Sequence, residues 1–410
     1  MSTQTYLWRG LLAGAVMAGA AGAVSAENKA WGPVGTWQKF DNPGPVIGAD
    51  GKLHQARCSG FPGTDPRFSF WAKRGKSKNV MVFFEGGGAC WDNLTCTFPI
   101  ADGLPPGLPQ FFVPAIHPAT NPALMQGVFD ASNAANPVKD WSAVYIPYCT
   151  GDLHAGSATQ SYFNVGNPVL PLPPSFNIEH RGFDNFMVVL DWMRKHIEEP
   201  KSLLVTGISA GGYGASLNFP WLARAYPEAR LRVLADASQG VTTQAFDQGT
   251  PGRGSWNIQF APGAFGPNPS ALSGPEILRA AVTRFPRARV SQFTTAFDQV
   301  QIGFYGVMKA FYPPGGACPN PAIDWYQQMS SKIVSYASTL PNYRYYVAAG
   351  GYHTIMSSPG FYTETSAGPS FSSWLASMLA KNGGDDDDDH VPSAWTNSAC
   401  PTCLINLPCQ

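Results

Sequence analysis

Charge is what this chain has least of: only 13% of its 410 residues are Asp, Glu, Lys or Arg, and 27 acidic side chains balance 27 basic ones. Roughly a quarter is usual for a globular protein, and the balance leaves no net field to draw in nucleic acid or an anionic surface. Long apolar runs are absent after the first 26 residues, so stable membrane insertion is not expected. Nucleotide-binding signatures are missing as well. No lysine follows Gly86-Gly87-Gly88 at P-loop spacing, and no Gly-x-Gly-x-x-Gly opens a helix. Internal repeats are not evident. What the chain does have is 43 glycines, 37 prolines and 13% aromatic residues, the composition of a loop-rich protein with a weakly charged surface. The length suffices for one large α/β domain.

Residues 1–26 carry Arg9, an apolar run from Leu11 to Val24 and the small residues Ser25 and Ala26. This pattern predicts a secretory signal peptide cleaved after Ala26, and hence an exported protein, extracellular or periplasmic. The eight cysteines (Cys58, Cys90, Cys96, Cys149, Cys318, Cys400, Cys403 and Cys409) all follow that segment. An even count in an oxidising compartment argues for disulfides. Zinc at Cys400, Cys403 and Cys409 would need a fourth ligand at suitable spacing, so no metal site is expected. The reading divides the chain into the signal peptide, a catalytic domain over 27–380, and a tail over 381–410 that opens on the run Asp385 to Asp389. That run reads as a solvated linker, with weak calcium binding as its alternative.

Residues 27–65 offer no clear element, and Arg67 to Trp71 alternates like an edge strand. Buried strands are expected at Val80–Phe84, Ala143–Tyr148, the apolar run after Lys201 that ends in Gly207-Ile208-Ser209, Leu231–Asp236, Val290–Asp298 and Tyr343–Ala349. A helix is expected over Phe183–Ile197, where apolar residues recur at helical spacing. Strands alternating with helices predict a mostly parallel sheet with helices on both faces. Two Pro-rich insertions, 101–127 and 156–178, show no periodicity.

The chemistry-bearing residues fall at strand ends. Gly207-Ile208-Ser209-Ala210-Gly211 is a Gly-x-Ser-x-Gly turn between a strand and a helix-compatible stretch, which would raise the Ser209 hydroxyl above the sheet. The N–H of Ala210, with that of Gly87 or Gly88 from the early glycine loop, would form an oxyanion hole. A serine hydroxyl needs an imidazole, and the imidazole needs a carboxylate. His353 follows both Ser209 and the candidate acids in the chain order nucleophile, acid, base; His154 is the alternative base. Asp298 and Asp236 each end a strand, and strand order favours Asp298 as the acid. Trp91, Asp152, His154 and Asp236 are the expected pocket residues.

In these residues and their spacing the chain resembles the pectinacetylesterase and Notum family of secreted serine esterases. The resemblance rests on Phe84-Glu-Gly-Gly-Gly-Ala-Cys-Trp91, Val144-Tyr-Ile-Pro-Tyr-Cys-Thr-Gly-Asp152, His180-Arg-Gly-Phe183, Gly207-Ile-Ser-Ala-Gly-Gly212, Ala296-Phe-Asp-Gln-Val-Gln-Ile302 and His353. It implies an α/β-hydrolase-like fold, strengthens Asp298 as the acid, and suggests Cys58–Cys149 and Cys90–Cys96 bridges. Cys318, Cys400, Cys403 and Cys409 would supply two more in one of three pairings. The activity implied is ester hydrolysis through an acyl-enzyme, without metal or organic cofactor, on a polysaccharide acetate such as pectin. An apolar, long-acyl, aromatic or polymeric ester is the alternative substrate, and a non-catalytic carbohydrate-binding relative is a third reading.

Overall fold

The computed structural model describes residues 32–102, 104–311, 318–380 and 395–409. The signal-peptide reading at Ala26 and the run Asp385 to Asp389 lie outside the described residues.

Among the described residues, nine strands form one sheet: β1 (Trp37–Asp41), β2 (Ser69–Lys73), β3 (Asn79–Phe84), β4 (Ser142–Ile146), β5 (Ser202–Ile208), β6 (Arg230–Asp236), β7 (Arg289–Thr295), β8 (Tyr343–Ala348) and β9 (Ser398–Ala399). Their spatial order is β1-β2-β4-β3-β5-β6-β7-β8-β9. The first two pairings are antiparallel and all the others parallel. The longer helices are α1 (Gly182–His196), α2 (Ala210–Ala225), α3 (Gly274–Arg284), α4 (Gln299–Phe311), α5 (Pro321–Thr339) and α6 (Phe371–Leu379).

The unbroken apolar strands follow from burial on both faces. On β3, Val80, Val82 and Phe84 pack with Phe183, Phe186 and Leu190 of α1 and Leu222 of α2. Met81 and Phe83 point the other way, into a core with Phe293, Phe371 and Trp374 of α6. Full burial of such a side chain contributes about 1.5–3 kcal/mol, so both faces hold the central strands in place. With β3, β5 and β6 anchored in register (Phe84↔Gly207, Ile208↔Asp236), their carboxyl ends meet at one rim.

Three expectations change. The strand expected at Arg67–Trp71 lies at Ser69–Lys73 and is interior, paired with β1 and β4 and buried along its length. The edge strand is β1, in the stretch read as featureless. β1 is only half covered and carries little apolar signal. Residues 156–178 contain an antiparallel hairpin, Ala158–Phe163 with Ser175–His180. Its strands are mostly polar because one face alone is covered, through Tyr162, Phe176 and Ile178 packed with Phe61 and Phe112.

The four disulfides are Cys58–Cys149, Cys90–Cys96, Cys318–Cys409 and Cys400–Cys403. Cys318–Cys409 fastens the tail, Cys400–Cys403 closes a turn within it, and the tail's strand β9 extends the sheet beside β8. Among the described residues, no helix is long and apolar enough to cross a membrane.

Candidate active site

Ser209 stands between β5 and α2 with φ 54° and ψ −124°, a conformation that L side chains rarely adopt. Neighbouring backbone enforces it. A Cβ on Gly207 would lie 2.3 Å from the Gly211 oxygen, and one on Gly211 would lie 2.0 Å from the Phe84 oxygen. Only glycine at both positions lets the turn close against β3. The Ser209 N–H donates to the Asp236 carbonyl at 2.8 Å, which ties the turn to β6 as well.

His353 sits in the loop after β8. Its Nδ1 lies 2.9 and 2.8 Å from the two carboxylate oxygens of Asp298, which is fully buried. Asp298 is held in turn. Oδ1 accepts from the N–H groups of Val300 and Gln301 at the start of α4, and Oδ2 from Gln301 Nε2 at 2.9 Å. This arrangement fixes the Nδ1–H tautomer and turns Nε2 away from the acid. Nε2 is buried and has no hydrogen-bond partner. It is not bonded to Ser209 Oγ, yet both residues line one cavity, and such contacts are often long until a substrate is bound.

That cavity has an empty volume of about 1050 Å³ including its open mouth. Gly88, Ala210 and Trp91 line it too, so five of the residues singled out in the sequence meet there. Gly87 (φ 154°) and Gly88 (φ 69°) hold the glycine loop in conformations that favour glycine, and a Cβ on Gly88 would fall 1.8 Å from the Phe111 oxygen. The loop is pinned by two hydrogen bonds, Ala89 N–H to the Phe111 carbonyl and Val113 N–H to the Gly87 carbonyl, both 2.8 Å. The N–H groups of Gly87, Gly88 and Ala210 donate to no carbonyl outside their own strand or helix among the described residues. At the first position of α2, Ala210 has no acceptor within the helix either.

Asp152, His154 and Asp236 do not line this cavity, which corrects their expected place in the pocket. Asp152 is fully buried; its oxygens accept from Thr150 Oγ1 at 2.6 Å and from the Gly182 N–H at the start of α1 at 2.7 Å. Burial pushes its carboxyl up to about 6. His154 donates from Nε2 to the Glu85 carbonyl at 2.8 Å, just before the glycine loop, and burial pushes its pKa down to about 4. Its Nε2 is therefore committed to the backbone. Asp236 accepts the N–H groups of Ile355 and Met356 on Oδ2, both at 2.8 Å. Through its carbonyl and its side chain, this one residue fastens the Ser209 turn and the His353 loop to the same strand end.

Sequence reasoning missed most of the cavity wall. Leu153, Leu217, Phe246, Trp256, Ile258, Phe304 and Met308 supply its apolar surface, from α2, α4, the short helical turns Gln244–Gln248 and Arg253–Trp256, and loops beside them. Gln301 was also missed. Besides Asp298, it contacts Gln239 twice, receiving the Gln239 N–H at 2.9 Å and donating to Gln239 Oε1 at 2.8 Å.

A mostly parallel sheet in this strand order, with a strained serine turn after β5 and a histidine loop after β8, defines an α/β-hydrolase fold. The pectinacetylesterase family model matches residues 50–248, from before β2 through the Ser209 turn to beyond β6. Over these residues the chain is similar to the pectinacetylesterase family, and proteins named NOTUM are among its relatives. It is 27% identical over 180 residues to palmitoleoyl-protein carboxylesterase NOTUM of Mus musculus, covering 41% of this chain and 31% of that protein. To the Homo sapiens protein of the same name it is 26% identical over 172 residues, 39% and 30% of the two chains. The Schmidtea mediterranea protein is 27% identical over 154 residues, 36% and 25%. The chain thus spans less than a third of the length of these relatives.

Proposed function

We propose that this chain is an exported serine carboxylester hydrolase whose acyl group is apolar. Ser209 Oγ attacks the ester carbonyl while His353 Nε2 accepts its proton, and Asp298 holds the imidazolium that forms. The negative oxygen is received by the N–H of Ala210 and that of Gly87 or Gly88, each worth about 2.7–4 kcal/mol in such a site. His353 returns its proton to the leaving alcohol. Water then attacks the acyl-enzyme by the same route and releases the acid.

One observation carries this reading: Ser209, Ala210, Gly88 and His353 line a single cavity whose surface is mostly apolar, with Trp91, Leu217, Phe246, Trp256, Phe304 and Met308 among its walls. Against such a wall each additional buried methylene contributes about 0.8 kcal/mol, roughly fourfold in specificity. The relatives named as palmitoleoyl-protein carboxylesterases support a longer acyl group. The name of the matching family supports a second reading, release of acetate from a polysaccharide such as pectin. Four disulfides support export to an oxidising compartment.

The test compares kcat/KM on a 4-nitrophenyl ester series from acetyl to long acyl, alongside acetylated pectin. Rates should rise with chain length until the cavity is filled, and Ser209→Ala should lower them by on the order of 10⁴-fold or more. Acetate release from pectin with no gain from chain length would favour the second reading. Activity retained by the folded Ser209→Ala protein would reject the mechanism.

A further inference from the structure

The apolar cavity contains one buried ion pair that the proposed mechanism does not use. Asp247, in the short helix Gln244–Gln248, and Arg253, in the turn Arg253–Trp256, both line the cavity with Oδ1 and Nη1 3.3 Å apart. Their side chains are only 3% and 7% exposed. The other atoms of the pair hold the wall together. Asp247 Oδ2 accepts from Thr242 Oγ1 at 2.7 Å and from the Gly274 N–H at 3.1 Å, while Arg253 Nη2 donates to the carbonyls of Leu272 and Ser270. Oδ1 and Nη1 themselves have no hydrogen-bond partner.

Burying a donor and an acceptor without good hydrogen-bond partners is costly. A merely structural clasp gains nothing from that cost, whereas a ligand group that completes both atoms would recover it. The location fits such a group. Asp247, with Thr242 and Pro275, also borders an adjoining polar groove that includes Gln244, Glu276 and Lys332, and neither Ser209 nor His353 reaches that groove. Asp247 thus lies where the cavity meets that groove, and Arg253 beside it.

Resting on the esterase reading above, we propose that Asp247 and Arg253 are specificity-determining residues that receive a hydroxyl borne by the acyl chain, making the preferred substrate an ester of a hydroxyalkanoic acid. A hydroxyl oxygen can donate to Oδ1 and accept from Nη1 at once. A terminal methyl leaves both atoms unsatisfied, and a terminal carboxylate meets the charge of Asp247. An oligomer of hydroxyalkanoic acids carries such a hydroxyl at its free end, so the same recognition suits a polyester chain end.

The experiment measures kcat/KM for matched 4-nitrophenyl alkanoates, ω-hydroxyalkanoates and ω-carboxyalkanoates of increasing length. Enzymes compared are the wild type, Asp247→Asn and Arg253→Met. The expected result is that, at the length spanning the cavity, the wild type favours the hydroxyl over the methyl ester by about tenfold or more. That ratio should fall toward one in whichever variant folds. A clasp with only a structural role would lower both rates and leave the ratio unmoved. Turnover of plain alkanoates with no hydroxyl preference at any length overturns the inference, as does a preference for the carboxylate or a ratio unchanged in the variants. Because the wild-type series stands alone, misfolding of a variant does not shield the claim. Absence of turnover on every ester would instead count against the esterase reading.

Discussion

Asp236 shows how a residue chosen for one role can be placed for another. It ends β6 as a candidate acid should, but its carboxyl accepts two backbone N–H groups of the loop carrying His353, and Asp298 holds the imidazole. Burial pushes the Asp236 carboxyl up to about 7 from an ordinary 3.8, while the Met356 and Ile355 N–H groups pull it back. Between those two values the unfolded chain has released the proton and the folded chain has kept it. The stabilisation from this group is therefore complete below about pH 4 and is lost as the pH rises toward 7. Asp236→Asn, which cannot titrate, should flatten that part of the profile. Urea unfolding of both proteins between pH 4 and 8 should show the wild type losing on the order of a few kcal/mol relative to the variant across the window. A constant difference between them would remove Asp236 as a titrating member of the fold. Asp298, Ser209 and His353 are legible in the sequence because the proposed acyl transfer would restrict their residue types and chain order. The division of labour between Asp236 and Asp298 depends on which loop each reaches, and neither local sequence nor strand position records that.

At the scale of elements, the glycine loop after β3 and the turn after β5 depend on each other. A Cβ on Gly86 would lie 2.8 Å from the Ile208 oxygen and 3.0 Å from the Ser209 Cβ, so the two turns pack almost backbone to backbone. Gly88→Ala would push the loop away from Phe111 and force an L residue into positive φ. If that loop supplies an oxyanion donor, kcat should fall by about 10²-fold or more. Fluorophosphonate labelling of Ser209 should slow in parallel while the circular-dichroism spectrum is kept. Unchanged kcat would exclude the loop from catalysis. The strands of the central sheet are legible because β3 to β6 are buried on both faces and are largely apolar; β7 is as buried but sets only Val290 and Phe293 among polar residues. By contrast, β1 and the hairpin Ala158–Phe163 with Ser175–His180 are covered on one side, and their polar sequences conceal them. The helix α1 is visible for the complementary reason: its apolar face repeats at 3.6 residues against the sheet.

For the whole molecule, two cores clamp the central sheet from opposite faces, and the rim where the parallel strands end is left for chemistry. Ser209, Asp298 and His353 are separated by 89 and 55 residues (298 − 209 and 353 − 298), so only the sheet can bring them together. The cavity beside them is assembled from stretches as distant as Trp91, Phe246 and Met308. Its apolar character is a property of tertiary packing; the family resemblance implied a polysaccharide acetate with an apolar ester as the alternative, and the proposal of an apolar acyl group rests on the cavity wall. The central claim is that Ser209 is a nucleophile activated by His353. Its most direct test is mass-spectrometric mapping and timing of fluorophosphonate attachment in the wild type and in His353→Ala. The account predicts a single adduct on Ser209 in the wild type, formed more slowly by on the order of 10³-fold or more in the variant. An adduct on another residue, or labelling of Ser209 at an undiminished rate without His353, would contradict it.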